Sequence, residues 1–499
     1  MDTRGRVSLF LAFVLTVIML TGSSYAIPAF SRQYGTSCTT CHIDFPKLND
    51  FGKAFKDAGF KFPKGDEDFI KVPVVMLGAP AQKELWPHTV FPGTIPGLPP
   101  IGLRFNQFFQ YTSGNANNYN FASPNAGPYI PRTDFQPGFF SIFMAGNFGS
   151  DIAFWVDDDI SVAGANSNGA LGDGYLRFVN LGRFLKLPTD AFTLRVGQFE
   201  LDLPFTLARS INLSPYDIYT EANIGASNQN VNNQFALEDA AQGIEFSGGH
   251  QYGGYHYSLA IVNQNTSGGA AASPPNVDSP SAFFSDSNYK DVYGRFSYRF
   301  NLEKDPASRH DVQAAGATGP RDHTYLSLGT FFFKGRSVQR LGEGTSTLLT
   351  AREPFYRVGG DFSFNYRTFN LFGLYMYAHD NALYLNEGAT GFISGAPAKF
   401  NGGFLEADYL VLPWVMTIMR YDRVQSTADF LNQTANYFSP VGSGRDRYTP
   451  GVQFLIHANI KASFEYAFRP KQALSYDANG NAVNPFRTNT ATGALEFVY

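Results

Sequence analysis

The sequence has little cysteine, little charge and no long apolar run beyond its first residues. Only 16% of the 499 residues are charged and the formal net charge is −4, which argues against a nucleic-acid partner. After residue 26, no stretch approaches the ~18 consecutive apolar residues that a transmembrane helix requires. The mature chain is therefore either soluble and exported, or it crosses a membrane as strands.

Residues 1–26 have the pattern of a secretory signal peptide. Arg4 and Arg6 precede the apolar run Val7–Leu20, and Ser24–Ala26 is a small-x-small cleavage pattern. We expect export and a mature chain that starts at Ile27.

The two cysteines lie together in Cys38-Thr39-Thr40-Cys41-His42. A Cys-x-x-Cys-His run is typical of c-type haem attachment, in which Cys38 and Cys41 form thioethers and His42 is the proximal iron ligand. A zinc site needs further ligands, a structural disulfide needs no following histidine, and a thioredoxin-like pair expects a βαβ setting. The motif predicts one covalently bound haem c, attached outside the cytoplasm.

Residues 27–91 are expected to form the monohaem cytochrome c segment. Apolar residues recur every three or four positions after the motif, which predicts one face of a short helix that Gly59 ends. These residues are Phe45, Leu48, Phe51, Phe55 and Ala58.

The distal iron ligand has two candidates in this segment, Met76 and His88. Methionine would raise the reduction potential relative to a second histidine. A site that is open or filled by water is the remaining alternative.

A Pro/Gly linker at 92–100 separates this segment from residues 101–499, where apolar and polar residues alternate as in strands. The pattern predicts an all-β fold, an antiparallel outer-membrane β-barrel of about sixteen strands. The predicted strands lie near residues 101, 139, 152, 174, 192, 242, 255, 289, 323, 355, 369, 402, 414, 447, 460 and 489.

Long polar connections and short turns alternate between these strands, as in outer-membrane barrels, although residues 301–321 are long where a short turn is expected. A soluble β-sandwich would not sort its loops in this way. In the last strand Leu495, Phe497 and Tyr499 are expected to face outward, and terminal aromatic strands of this kind are typical of such barrels.

Charged side chains should avoid the lipid face and line the lumen, mostly solvated, because a charge at mid-bilayer costs ~2–4 kcal/mol. A barrel of this size encloses an aqueous interior unless something fills it, and the haem segment is the expected plug. The residues predicted to point inward are Arg177, Arg195, Glu245, His256, Arg295, Arg299, Asp361, Arg420, Asp422, Lys461 and Glu465.

The sequence resembles the outer-membrane cytochrome–porin fusions, single-haem proteins of iron-oxidising bacteria and their relatives. The resemblance rests on Pro28–Gln33 before the haem motif, Pro46–Gly52, Phe55–Phe60 and Val196–Phe205. It implies a bacterial outer-membrane electron conduit in which one haem takes electrons from an extracellular donor such as Fe(II) and passes them to a periplasmic c-type cytochrome or similar carrier. Such an activity would be of the iron(II):cytochrome oxidoreductase type.

Two other functions use the same parts. A solute porin could carry the haem segment as a plug, and electrons could flow outward to an external acceptor. Iron could also bind transiently to His310, His323 or the loop acids Asp217, Glu221, Glu238 and Asp239, although solvated polar loops are the favoured explanation of those residues.

Overall fold

The computed structural model describes the segment that carries the Cys-x-x-Cys-His motif, the barrel strands and parts of the connections between them. The described residues are 29–62, 66, 70–71, 74–76, 84–85, 94–96, 100–112, 132–148, 151–161, 170–188, 190–220, 230–231, 237, 240–250, 252–263, 289–302, 324–341, 349–380, 383–385, 392–394, 398–426, 439–441, 444–469, 474–476, 482–483 and 489–499. The predicted signal peptide, 1–26, lies outside them. Among these residues, no helix is both long and apolar enough for a membrane span.

Sixteen antiparallel strands form a closed barrel. They are β1 Ile101–Thr112, β2 Arg132–Phe148, β3 Ile152–Ser161, β4 Ala170–Phe178, β5 Thr193–Glu200, β6 Ala240–Gly249, β7 Gly254–Asn263, β8 Lys290–Asn301, β9 Tyr325–Leu341, β10 Leu349–Tyr366, β11 Phe369–Asp380, β12 Ala398–Leu412, β13 Val415–Ser426, β14 Gly444–His457, β15 Ile460–Ala467 and β16 Thr490–Val498. Each predicted strand is confirmed.

Closure joins the two ends of the sheet. Each strand pairs with its neighbour in sequence, and β16 pairs with β1 from Thr490 opposite Thr112 to Val498 opposite Arg104. A closed barrel has no sheet edge, so the backbone groups of the wall can pair from strand to strand and the strands can cross lipid.

The connections sort to the two ends of the barrel as the sequence predicts. One end carries tight turns such as 367–368 and 413–414, and two longer connections. The connection 302–324 is the predicted exception, and 179–192, which contains a 3-10 turn, is a second one that was not predicted. The other end carries the long connections. One of these is shorter than expected. Strand β9 continues to Leu341 and β10 begins at Leu349, so both strands reach into the predicted loop 336–352. In outer-membrane barrels the short-turn end faces the periplasm.

The outer face of the wall is apolar. In β16 and just after it, Leu495, Phe497 and Tyr499 are exposed, whereas Ala494 and Glu496 are buried, so the predicted outward direction is confirmed. This is the alternation of a strand with lipid on one face and the lumen on the other.

A compact plug, residues 29–62, occupies the lumen at the short-turn end. It contains the helices α1 (Ala29–Tyr34) and α2 (Asp50–Asp57), a 3-10 turn (Cys38–Thr40) and the paired short strands His42–Asp44 and Lys47–Leu48. A second ribbon pairs Val74–Met76 with Thr94–Pro96, so part of the predicted linker is an edge strand.

The helix after the haem motif is shorter than predicted. Phe45 and Leu48 precede it, because the chain first makes a two-stranded turn and Asn49 then caps α2 by accepting from the Gly52 N–H at 2.8 Å. Phe51 and Phe55 do lie on α2 and are buried, and Gly59 follows its end with a φ of +80°. The spacing of apolar residues thus correctly predicts the helix, but it wrongly includes the two-stranded turn that precedes it.

The plug has an aromatic core that continues into the barrel wall. Tyr34 and Phe62 lie 4.2 Å apart between ring centroids, and Phe60 lies 5.6 Å from Trp155 of β3. Ala153 of the wall is part of the same buried cluster. The apolar contact fixes one side of the plug against β3.

Ion pairs fix the other sides of the plug. Asp50, at the start of α2, receives two hydrogen bonds from Arg299 of β8, at 2.6 and 2.7 Å. Lys47 pairs with Asp408 of β12 at 2.6 Å. These bonds join residues far apart in sequence, so the plug and the barrel fold into one unit.

A second segment also enters the lumen. We call residues 201–220, which follow β5, the inner loop; it includes a 3-10 turn (Leu207–Arg209) and the helix α3 (Asp217–Thr220). Its side chains Leu203, Tyr216 and Ile218 pack into an apolar cluster with inward-facing wall residues such as Phe404. One side of the lumen is therefore hydrophobic, which the sequence analysis did not anticipate.

The plug lies nearer the periplasmic end than the inner loop does. Lys461, the second residue of β15, donates to the Phe45 carbonyl of the plug at 2.5 Å. Glu465, the sixth residue of the same strand, accepts from the N–H groups of Leu213 and Ser214 in the inner loop. Four residues of a strand span about 13 Å. The lumen thus holds two layers of chain, the plug and the inner loop.

The Asp50–Arg299 pair predicts how firmly the plug is held. Because both side chains are largely buried, Arg299→Gln or Asp50→Asn should each weaken docking by about 3–5 kcal/mol, and the double variant should lose less than the sum. Hydrogen exchange of the α2 amides measures this. The matched control is Arg423→Gln, whose exposed pair with Asp446 should contribute at most about 1 kcal/mol. Unchanged α2 exchange in both single variants would contradict the assignment.

Candidate functional site: the Cys38–His42 motif and its cavity

The haem motif is shaped by short local hydrogen bonds. Ser37 caps the 3-10 turn by accepting from the Thr39 N–H at 3.2 Å, and the hydroxyls of Thr36 and Thr40 lie 2.6 Å apart. The Cys41 N–H donates to the Cys38 carbonyl at 3.1 Å, which closes the turn. Both cysteines are therefore carried on one tight turn.

Asn49 ties this turn to α2, and sequence reasoning missed its role. Its N–H donates to the Cys41 carbonyl at 2.9 Å and its side-chain amide donates to the Thr40 carbonyl at 3.0 Å, while its oxygen caps α2. Asn49 is buried and uses donor and acceptor together. The only sequence signal was an Asn placed as an N-cap before a helical pattern.

His42 is oriented as a metal ligand would be. Its Nδ1 lies 3.2 Å from the Pro46 carbonyl, which can only accept, so Nδ1 carries the proton and Nε2 is left unprotonated. Metal-bound histidines are commonly fixed by such a bond to a carbonyl. Burial lowers the pKa of His42 to about 4, which keeps the imidazole neutral, as iron ligation requires.

A cavity of about 570 Å³ opens beside the motif. Cys38, Cys41 and His42 form part of its wall, and residues of the inner loop and of the barrel complete it. Both cysteines are free thiols, and burial raises the pKa of each. The three residues that the sequence predicts as a haem site are thus brought to one cavity inside the barrel.

These residues fit a c-type haem. Two free thiols and a histidine with a fixed Nδ1 proton face the cavity, whose wall combines aromatic side chains, including Phe55, Phe60 and Trp155, with charged ones. Aromatic and aliphatic walls suit a flat apolar macrocycle and keep water from its iron.

The distal ligand remains a prediction. The backbone of Met76 pairs with Thr94 in the short ribbon, but its side chain and the whole of His88 lie outside the described part of the chain.

The charges predicted to face the lumen do so, but they are paired rather than solvated. Arg195 binds Glu245 at 2.6 Å, and Arg295 binds Asp361 at 2.6 Å. The remaining contacts join wall residues to the plug, the inner loop or one another, and involve Arg177, His256, Arg299, Arg420, Asp422, Lys461 and Glu465. The prediction of their direction is confirmed, and the expectation of solvent is wrong.

Asp217 is not an exposed loop acid. Its carboxylate lies 2.8 Å from Arg469 and 3.0 Å from Arg447, and all three side chains are buried. It anchors the inner loop, so it is not open to transient iron. His310, His323, Glu221, Glu238 and Asp239 lie outside the described residues.

The fold and site define a class of protein: a porin-like outer-membrane β-barrel whose lumen holds a plug bearing a Cys-x-x-Cys-His motif. No protein-family model matches the sequence, and no curated protein matches it either.

Several solved porins are similar to this chain in fold. An anion-selective porin from Comamonas acidovorans is 11% identical over 80% of this chain and 98% of its own, with a TM-score of 0.48. The Salmonella typhi OmpF complex with daunomycin is also 11% identical, over 80% and 97%, with a TM-score of 0.44. Outer-membrane expressed OmpT of Vibrio cholerae is 8% identical over 85% and 100%, with a TM-score of 0.45.

Gly52 predicts a direct test of the site's construction. A β-carbon added there would lie 2.1 Å from the Cys41 carbonyl oxygen, so Gly52→Ala must push α2 away from the haem motif. We expect several-fold less covalent haem per barrel, measured by haem absorbance of purified protein, with barrel folding followed separately by electrophoretic mobility. The matched control is Gly360→Ala, where the nearest atom lies 3.6 Å from the new carbon. Normal haem loading in Gly52→Ala would contradict the packing described.

Proposed function

We propose that this protein is an outer-membrane electron conduit, in which one haem c takes electrons from an extracellular donor and passes them to a periplasmic carrier. Fe(II) is the donor that we propose first. The observation that carries the proposal is the docking of the Cys38–His42 segment inside the barrel, facing a cavity of about 570 Å³. A motif for covalent haem in this position supports a redox role that a simple pore would not need.

The chain's own residues divide the work of holding the cofactor. Cys38 and Cys41 would form the thioethers, and His42 would give Nε2 to the iron while Pro46 holds its other nitrogen. Met76 or His88 would complete the coordination, or the distal position would be open or filled by water; the sequence leaves these alternatives open. When bound, the haem supplies one-electron chemistry, whose potential depends on the axial ligands, burial and hydrogen bonds around it.

The two layers of the lumen suggest how the electron travels. The plug lies near the periplasmic end, where a c-type cytochrome or similar carrier could approach it. On the outer side the inner loop covers the cavity, with Phe205 packed 4.6 Å from Phe372 of the wall. Extracellular Fe(II) would therefore lose one electron without touching the haem iron, and the carrier would gain it, leaving Fe(III) outside the cell.

A solute porin with a haem-bearing plug is the alternative. Ion pairs hold both the plug and the inner loop in the lumen, where they narrow any diffusion route, and this favours the conduit. Outward transfer to an external acceptor uses the same parts, and the potentials of the partners set the direction.

The conduit predicts that Fe(II) reduces the bound haem. Purified haem-loaded protein in detergent should show the absorption bands of ferrous haem when Fe(II) is added at controlled pH. Haem-loaded Arg423→Gln, altered only at an exposed wall position, should behave as wild type.

Dithionite provides the reference for full reduction in the same sample. Reduction by dithionite but not by Fe(II), at any pH at which Fe(II) stays in solution, would overturn Fe(II) as the donor. That result would not contradict the assignment of the haem site.

A further inference from the structure

Lys56 is a cation that faces the cavity, and no described residue forms an ion pair with it. It is on α2, and it lines the same cavity as Cys38, Cys41 and His42. Its backbone carbonyl accepts from the Gly59 N–H at 3.1 Å and from Arg177 at 2.8 Å.

The neighbouring arginines differ from Lys56 in this respect. Arg195 has Glu245 at 2.6 Å and Arg209 has Glu200 at 2.8 Å. Within the part of the chain that the structure describes, no carboxylate lies within ion-pair distance of the Lys56 ammonium.

This arrangement is costly unless an anion is added. The half-buried Lys56 ammonium loses part of its hydration, and the Glu200 carboxylate beyond ion-pair distance offsets that loss only in part. Burial, and then the charges of Arg209 and Arg195, lower the pKa of Lys56 to about 8. The same three cations would stabilise a carboxylate placed between them and the cavity.

We propose that Lys56 binds a carboxylate in this cavity, and that this carboxylate is a propionate of the haem. The inference rests on the haem assigned under the proposed function. In a c-type haem the propionates lie across the macrocycle from the vinyl groups that the cysteines take. Lys56 is likewise set away from the thiols, because Gly52 of α2 abuts Cys41 and Lys56 follows about 6 Å further along the helix.

Lys56 would then help to set the reduction potential. An ammonium beside a propionate offsets its negative charge and so favours ferrous over ferric iron. The same charge lowers the cost of holding a carboxylate inside the barrel.

Glu200 is the competing partner. One of its oxygens pairs with Arg209, while the other, Oε1, is buried without a hydrogen bond. If Lys56 turned to Glu200, it would leave the propionate unbound, and a spectroscopic probe of the propionate separates the two cases.

The test compares haem-loaded Lys56→Gln with wild type by resonance Raman spectra of the propionate bending modes and by the midpoint potential. We expect the propionate bands to shift and the ratio of ferrous to ferric haem to fall about tenfold, which corresponds to ~59 mV. Lys53→Gln is the matched control, since Lys53 is on the same helix, lines the same cavity and already has Asp50 at 3.4 Å. It should leave the propionate bands unchanged.

Lys56→Arg provides a second variant if Lys56→Gln does not accumulate. It keeps the charge and changes the hydrogen-bond geometry, so the bands should shift while the potential stays near that of wild type. Normal haem loading with unchanged propionate bands in either variant would overturn the role of Lys56 alone. Absence of covalent haem from the wild-type protein would overturn this inference and the proposed function together.

Discussion

Charges enclosed by the barrel must find partners, and this constraint organises the whole interior. Arg420 and Arg447 are fully buried, and Asp422 of the wall accepts from both at 3.0 Å. Buried ions without partners would cost several kcal/mol each, so the wall can hold these arginines only if its acids and the inner loop meet them. The same requirement joins Arg299 to Asp50 of the plug at 2.6 Å. The polar inner face that keeps charge away from lipid thus also fixes what fills the lumen.

The filling makes two layers with different roles. The periplasmic layer is the plug, which places Cys38, Cys41 and His42 beside the cavity. The outer layer is the inner loop, held by buried pairs such as Asp217–Arg469 and packed against Phe404. A cofactor between them would be enclosed by protein rather than open to water, which is the environment in which a protein tunes potential through ligands, burial and nearby charge.

Much of this architecture is predictable from the sequence, and the exceptions have a common cause. Alternation over two residues predicts the strands and the inward direction of residues such as Arg195 and Glu245, because successive side chains of a strand point to opposite faces of the sheet. It does not reveal that 201–220 turns into the lumen, or that Asp217 is buried there, since those depend on partners far along the chain. Asn49 shows the same limit: its capping role is local, but its bonds to Thr40 and Cys41 join two separate turns.

The central claim is that one haem inside the barrel carries electrons through the outer membrane while solutes stay out. The direct measurement uses liposomes that contain the haem-loaded protein, with a c-type cytochrome and a small solute trapped inside and Fe(II) added outside. The account predicts reduction of the trapped cytochrome without loss of the solute, and neither event with Cys38→Ala/Cys41→Ala protein, which lacks the haem attachment. Escape of the solute without reduction of the cytochrome would contradict the account and identify the barrel as a pore.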